Sequence, residues 1–287
     1  MKKLIVNADD FGFTRGVNEG IIRAFREGIV TSTTIMANGD AFENAVELAL
    51  ANPALGVGCH LAIIGGRPVA PISDVSSLVD SEGRLPATLT KLMIKLARGS
   101  IAGDEMVREF RAQVGRVVNT GIELTHLDTH KHAHTHPKVM EALGPVAAEY
   151  GIKCVRNPFE RVFEAARGTS PMKWDYVKQY ALSTAIAPGA MRFKALAREA
   201  GLKTPDRFFG VKLTGMLDSA AIRSIMKSLD HGSAELMCHP GLCDDDLERA
   251  HTRLRRERAR ELEALSDPGL KRFAEEQGIE LINYREL

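Results

Sequence analysis

The sequence has no long apolar run and little net charge, and each absence argues against a class of protein. No stretch approaches the roughly 18 apolar residues of a membrane-spanning helix, and Met1-Lys2-Lys3 leads into a short apolar run instead of a signal-peptide core. The formal net charge is +1 over 287 residues, which gives no electrostatic argument for nucleic acid as a partner. We therefore expect a cytoplasmic protein and leave open a peripheral association with the inner membrane.

The sequence also has few cysteines, and their spacing is uninformative. The four are Cys59, Cys154, Cys238 and Cys243. None forms a C-x-x-C pair, so neither a structural zinc site nor a disulfide framework is predicted. Cys59 and Cys238 each precede a histidine on a predicted strand, and side chains alternate in direction along a strand. We expect these two thiols to be buried and inert.

What the sequence does contain is an alternation of short apolar runs with helical patterns along its whole length. The predicted strands are residues 3–7, 30–36, 56–61, 123–128, 152–156, 208–211, 235–239 and 280–283. The predicted helices are residues 17–27, 41–51, 104–120, 137–150, 219–229 and 247–265. This alternation favours a mainly parallel sheet, and about eight strands favour a closed or nearly closed barrel. No G-x-G-x-x-G follows the first strand, so a dinucleotide site is not supported.

Two insertions interrupt this alternation, at residues 63–103 and 157–207. The second contains the only tryptophan, Trp174. Insertions after barrel strands build walls or lids over a site, or they are helical excursions that pad the barrel. No repeat, low-complexity tract or linker separates parts of the chain. We therefore expect the α/β class, with residues 1–287 forming a single distorted (β/α) barrel with two helical insertions; a homodimer is left open.

Two adjacent carboxylates, Asp9 and Asp10, follow the first apolar run. A turn after the strand can direct both side chains into one cavity. Two carboxylates so close resist ionising together, and a cation beside them would stabilise the pair. The alternative is an Asx turn that closes the strand, with Gly12 at the bend.

Histidines end two later strands. His60 ends the run at residues 56–60, and His130 follows Asp128 at the end of the next strand. A carboxylate beside an imidazole fixes the tautomer of a metal-ligating histidine, and we expect Asp128 to do this for His130. Imidazoles together with a carboxylate suit one divalent ion. The predicted ligands are Asp10, His60 and His130, because a barrel brings the ends of different strands to one rim.

Further polar residues lie near the same predicted strand ends. Three alternate histidines precede Pro137: His132, His134 and His136. They are either ordinary loop residues, or a metal-binding tract on the surface, or groups that contact the substrate or support the metal ligands. His239 ends the strand 235–239, where it could protonate a leaving group. Arg156 ends the strand 152–156, where it could hold a carboxylate or orient a catalytic base, although strand-end arginines also form surface salt bridges.

In these motifs the chain resembles the YdjC-like family of carbohydrate deacetylases. The motifs are residues 7–12 (NADDFG), the run from Gly20 to Thr34, residues 56–60 (GVGCH) and residues 125–134 (THLDTHKHAH). The resemblance implies a distorted barrel and the metal-dependent removal of an N-acetyl group from an amino sugar. It implies Asp9 as catalytic base, His239 as acid, and Asp10, His60 and His130 as ligands. The resemblance also implies an arginine at the position of Arg156, although the residues around it match the motif less closely.

Other segments resemble the hopanoid-biosynthesis-associated branch more than the chitooligosaccharide branch. They are residues 66–69, 172–174 and 204–210. This implies an N-acetylglucosaminyl hopanoid as substrate, and Trp174, Met191 and Phe193 would suit its lipid; a chitooligosaccharide is the alternative. The ion is Zn²⁺ or Mg²⁺, and nitrogen ligands favour zinc.

Two rival functions are consistent with a barrel of this kind. One is a metal-dependent phosphoesterase, although such sites usually carry an H-x-H motif at the first strand, which here ends in two aspartates. Release of phosphate against release of acetate separates the two. The other is a non-catalytic sugar- or lipid-binding protein, for which the mass of a bound ligand would stay unchanged on incubation.

Overall fold

The strands run parallel and curl into a half-barrel. The computed structural model describes residues 1–160, 181, 184, 187–250 and 252–287. Its strands are β1 (Lys2–Phe11), β2 (Ser32–Ile35), β3 (Gly56–Leu61), β4 (Leu124–Thr129), β5 (Arg207–Phe209), β6 (Gly232–Cys238) and β7 (Ile279–Ile282). Their order is β4-β3-β2-β1-β6-β5, and β7 pairs with β1. Each of these pairings is parallel, so the expected α/β fold is confirmed.

Helices connect these strands and pack around them. They are α1 (Arg15–Arg26), α2 (Phe42–Leu50), α3 (Leu89–Ala97), α4 (Gly103–Val118), α5 (Pro137–Glu149), α6 (Ala190–Glu199), α7 (Ser219–Ser228), α8 (Asp245–Arg249), α9 (Arg256–Leu265) and α10 (Gly269–Glu276). In α1, Val17, Ile21 and Ala24 are buried at the spacing of one helical face. One buried hydrophobic cluster extends from Leu4 to Ile279. Within the described ranges no helix is long and apolar enough to cross a membrane.

Two predicted elements differ from the structure. Residues 152–156 form isolated bridges, Leu127 with Val155 and Cys154 with Lys203, instead of a strand; the ladder stops because Pro205, two residues after Lys203, has no N–H to donate. The predicted helix 247–265 is two helices, α8 and α9. Residues 252–255 between them contain no glycine or proline, so the sequence gives no signal for the break, which places Leu254 and Arg258 against the interior.

The buried thiols behave as predicted. Cys59 and Cys238 are both buried and form no disulfide. Burial raises the pKa of the Cys59 thiol, and it raises the pKa of the Cys238 thiol well above its usual value. Neither thiol is therefore a thiolate near neutral pH.

Two glycines let α1 approach the loop that follows β6. The amide of Gly16 donates to Asp244 Oδ2 (2.9 Å), and the carbonyl of Gly16 accepts from the amide of Leu242 (2.9 Å). A Cβ at Gly20 would lie 2.5 Å from the Cα of Gly241. Since residues 239–241 carry His239 into the site, this close contact fixes the position of that loop.

Replacing Gly20 with alanine is expected to destabilise the protein by about 1–3 kcal/mol, because backbone must move to admit the methyl group. The melting temperature and the urea midpoint measure the loss. Gly103→Ala is the matched control, since a Cβ there meets no described atom within 4 Å. Equal stabilities of the two variants would contradict the tight contact.

Candidate metal centre and catalytic cavity

The carboxyl ends of the parallel strands meet at one rim, where a cavity of about 360 Å³ opens. Its lining residues are Asp9, Asp10, Phe13, His60, Leu89, His130, Lys131, His132, Val211, Thr214, Met237, His239, Thr252, Arg253, Leu254 and Arg258. Most of the predicted site residues are among them. Asp128, Arg156 and His134 are fully buried in the surrounding structure. Trp174 lies outside the described residues.

An unusual backbone conformation at Asp10 places both aspartates in the cavity. The register of β1 against β2 shifts between Ala8 and Phe11, and Asp10 has a φ of 71°. Adjacent strand residues normally face opposite sides, and the left-handed residue removes that alternation. Positive φ in a non-glycine residue is unfavourable and is often found at functional sites. Lys131 and His132 share this feature at the same rim.

Three side-chain atoms from three parts of the chain form a small triangle. Asp10 Oδ1 lies 3.5 Å from His60 Nε2 and 3.4 Å from His130 Nδ1. The two histidine nitrogens are 3.2 Å apart. Asp10 Oδ1 is buried and has no hydrogen-bond partner among the described residues. The three residues predicted as ligands are therefore close enough to bind one ion together.

Asp128 orients His60, and not His130 as predicted from the sequence. The Oδ1 atom of Asp128 is 2.8 Å from His60 Nδ1. The reason is register: Asp128 lies directly opposite His60 in the pairing of β3 with β4, while His130 begins a 3-10 helix after β4. Burial opposes a charge on His60, but the charge and hydrogen bond of Asp128 raise the pKa of His60 to about 9. Asp128 holds the proton on Nδ1, and an ion bound at the triangle would replace the proton on Nε2. The carboxylate thus supports a different ligand from the predicted one.

Arg156 is surrounded by the three buried carboxylates of Asp9, Asp128 and Glu235. The Nη1 and Nη2 atoms of Arg156 donate to the two oxygens of Asp9 (2.7 and 2.6 Å). Its Nε donates to Glu235 Oε1 (2.8 Å), and Nη1 lies 2.5 Å from Asp128 Oδ2. The bidentate pair fixes the plane of the Asp9 carboxylate. Arg156 therefore orients the predicted base and is not a surface residue.

The charges around the two aspartates keep both ionised. Burial by itself would raise the pKa of Asp9, but the charge and hydrogen bonds of Arg156 outweigh it, and the pKa is lowered. Burial likewise opposes ionisation of Asp10, and the charge of Arg258 together with His130 holds its pKa well below the usual range. Two adjacent carboxylates can thus ionise together because each has its own arginine.

His134 contacts the backbone of Arg156. Its Nδ1 lies 2.6 Å from Thr129 Oγ1, and its Nε2 lies 3.1 Å from the carbonyl oxygen of Arg156. Burial lowers its pKa to about 4, so the ring is neutral and donates to that carbonyl. His132 instead lines the cavity, and its buried Nδ1 has no partner in the described part of the chain. Its ring contacts Phe208 edge to face.

His239 reaches the cavity directly after β6. Its backbone amide donates to Glu261 Oε2 (2.6 Å), which fixes the end of the strand. Its ring Nδ1 is buried with no partner among the described residues. Burial lowers the pKa of His239 to about 4, against the opposing charges of Asp9 and Asp10. The ring is therefore neutral near pH 7 and must receive a proton before it can donate one from an imidazolium.

Several buried residues of this region were not predicted from the sequence. Arg258 and Glu261 lie on one face of α9, where Arg258 contacts Asp10 and Glu261 accepts the amide of His239. In the sequence they resemble a solvated ion pair, because the helix is rich in arginine and glutamate. Glu235 carried a usable signal, because it is a lone charge in an apolar strand. Tyr284, which donates to Glu235 Oε2 (2.5 Å), carried none.

Met191 and Phe193, two of the three residues proposed to contact a lipid, do not line the cavity. Phe193 is buried against His134 and Phe159, because α6 packs its apolar face inward. Met191 is 80% exposed. Neither is in the cavity wall, where the apolar side chains come from other elements: Phe13, Leu89, Val211, Met237 and Leu254.

The whole chain is similar to known proteins. Residues 3–276 match the family described as YdjC-like protein. A carbohydrate deacetylase from Brevibacillus brevis is 37% identical over 285 residues, which cover 99% of both chains. A chitooligosaccharide deacetylase from Yersinia enterocolitica is 32% identical, covering 99% of this chain and 98% of its own. The crystal structure of a proposed cellobiose-phosphate cleavage protein from Enterococcus faecalis V583 superimposes with a TM-score of 0.78 at 27% identity, covering 99% of this chain and 98% of that one.

Proposed function

This chain belongs to the YdjC-like family, and from that premise we propose that it is a carbohydrate deacetylase. The reaction is hydrolysis of the N-acetyl group of an N-acetylglucosamine-type sugar. The observation that carries the proposal is the ligand triangle of Asp10, His60 and His130 beside the carboxylate of Asp9, which Arg156 holds. Full-length relatives named carbohydrate and chitooligosaccharide deacetylases support the substrate class.

The triangle fits a divalent ion, and its donor atoms favour zinc. A tetrahedral ion that binds nitrogen and oxygen at about 2.0–2.1 Å separates its ligand atoms by about 3.3–3.4 Å, and the separations of 3.2, 3.4 and 3.5 Å in the triangle are compatible with this. Two of the three donors are imidazole nitrogens, which suit zinc, whereas magnesium prefers oxygen ligands. We therefore propose Zn²⁺, held by Asp10, His60 and His130.

The residues around the triangle supply the remaining chemistry. When bound, the ion acts as a Lewis acid toward the acetyl carbonyl and lowers the pKa of water. Asp9, held in plane by Arg156, accepts the proton of the attacking water. His239 transfers a proton to the sugar nitrogen as the C–N bond breaks, because an amine leaves poorly as an anion. Since His239 is neutral at rest, that proton is the one removed from water.

Mass spectrometry tests the reaction. Zinc-loaded protein incubated with diacetylchitobiose or with an N-acetylglucosaminyl lipid is expected to lower the substrate mass by one acetyl group and to release acetate. A chelator should abolish this, and zinc should restore it more fully than magnesium. Release of phosphate from phosphate esters would favour the phosphoesterase alternative, and unchanged ligand mass would favour a binding protein.

The lipid-linked substrate is the finer proposal, and the apolar cavity wall supports it. Phe13, Leu89, Val211, Met237 and Leu254 offer apolar surface beside the triangle. A free chitooligosaccharide would present mainly hydroxyl groups to this wall. We therefore propose that an N-acetylglucosaminyl hopanoid is deacetylated in preference. Deacetylation of diacetylchitobiose alone, in parallel incubations, would reject this choice while leaving the deacetylase proposal intact.

The role of His239 predicts a dependence on the leaving group. His239→Ala is expected to lower kcat for an N-acetyl sugar by about 10²–10³-fold, within the usual range for general acid–base catalysis. An aryl acetate, whose phenolate leaves without a proton, should lose less than about tenfold. His231→Ala is the control, because His231 is exposed just before the other end of β6. Equal losses for both substrates would exclude His239 as the acid.

A further inference from the structure

Arg258 lies in the cavity wall with one terminal nitrogen unpaired. Its Nη2 donates to Asp10 Oδ2 (2.5 Å), and its Nε donates to the carbonyl of Leu254 (3.3 Å). The side chain is only 1% exposed, and Nη1 is buried with no partner among the described residues. Buried donors in folded proteins are almost always paired. The free Nη1–H therefore indicates an acceptor that arrives with a ligand.

The backbone and the aliphatic stem of Arg258 are held in place by the loop that follows β6. The carbonyl of Arg258 accepts the amide of Gly241 (3.2 Å), and a Cβ at Gly241 would lie 3.3 Å from Arg258 Cδ. One turn later on α9, Glu261 accepts the amide of His239 (2.6 Å). Arg258 and His239 are thus linked through the backbone of Gly241 and through the Glu261 side chain. A donor held in this way needs no reorganisation when charge develops beside it.

The two oxygens of the Asp10 carboxylate face different partners. Oδ2 accepts from Arg258, and this leaves Oδ1 facing His60 and His130. Because Nη1 and Nη2 are attached to the same carbon, the unpaired nitrogen lies close to the carboxylate of Asp10, and Arg258 lines the same cavity as the ligand triangle. An acyl group positioned for attack there would bring its oxygen into the same region.

We propose that Arg258 is a catalytic residue whose Nη1–H donates to the acyl oxygen of the acetamido group and to the carboxylate of the acetate product. The proposal rests on the proposed deacetylase function. Attack by water forms a C–O bond and moves the carbonyl electron pair onto the acyl oxygen. The pair returns as the C–N bond breaks, the water proton passes to the amine, and Arg258 keeps its protons throughout.

Arg258→Lys tests the contact, because lysine retains a cation for Asp10 but has no second terminal nitrogen. We expect kcat to fall by about 10²–10³-fold, as on removal of one oxyanion donor. Inhibition by acetate should weaken at least about tenfold, while zinc content by elemental analysis stays at the wild-type value. Arg260→Lys is the matched control, since Arg260 is exposed on the same helix and lines a different depression; its kinetics should be unchanged.

Several results would overturn the proposal. Wild-type kcat and acetate inhibition in Arg258→Lys would do so, and loss of zinc from this variant would show that Arg258 acts only through Asp10. Arg258→Ala should regain activity with added guanidinium ion, and absence of rescue would contradict the contact.

A binding measurement separates this proposal from the proposed function. Wild-type protein should broaden the methyl NMR signal of acetate more than Arg258→Lys does, whether or not it turns over a sugar. Equal broadening by the two proteins would overturn the Arg258 contact, whereas failure of the wild type to release acetate from any N-acetyl sugar would overturn the reaction.

Discussion

Replacing Arg156 with leucine is expected to destabilise the protein by about 3–5 kcal/mol, because the change leaves buried carboxylates without their cation. Asp9, Asp128 and Glu235 all contact this one side chain, which is fully buried. Denaturant unfolding measures the loss. Arg111→Gln is the control: its bridge to Glu149 is about 40% exposed on both sides, and such surface pairs contribute about 1 kcal/mol or less.

The pH dependence of this loss identifies its cause. Without Arg156, burial and mutual repulsion raise the pKa values of the three carboxyls in the folded state above their unfolded values. Groups of this kind bind protons on folding, so the stability of the variant falls as pH rises. The difference from wild type should therefore be larger at pH 8 than at pH 5. A difference independent of pH would point to lost packing instead of unpaired charge.

Asp9→Asn is expected to lower kcat by about 10²–10⁴-fold, because the amide cannot accept a proton from water. The variant should keep its zinc, since Asp9 is not part of the ligand triangle. His130→Ala is the informative comparison and should lose both zinc and activity. Elemental analysis of the purified variants and acetate release measure the two effects.

Normal turnover by Asp9→Asn would remove the base assignment. Loss of zinc from the same variant would instead indicate that Asp9 is a ligand. Thermal unfolding must accompany both measurements, since asparagine also weakens the pairing with Arg156. A folded, zinc-loaded and inactive variant is the expected result.

The structure agrees best with the sequence where the signal is local. The apolar runs that predicted β1, β3, β4 and β6 are short, and they either contain β-branched residues or end in polar ones. All four strands form. The site residues Asp10, His60 and His130 each follow or end such a run, and parallel strands place them at one rim. The pairing of Asp128 with His60 was not predictable, because cross-strand register is not encoded next to either residue.

Residues that act from a distance in sequence were the ones missed. Arg258 and Glu261 belong to a charged helix, and only the break before α9 directs them inward. Tyr284 lies near the carboxyl terminus and reaches Glu235 because β7 pairs with β1 and brings the terminus back under the barrel. No spacing within the sequence reports a contact of this kind.

The sequence by itself determined the parallel α/β architecture, the identity of the candidate ligands and the family. Each of these follows from residue patterns within a few positions, where strand and helix periodicity act. Tertiary structure alone decided which carboxylate supports which ligand, the pairing of Asp10 with Arg258, and the neutral state of His239. Those properties depend on burial and on charges from distant segments, which exist only once the chain has folded.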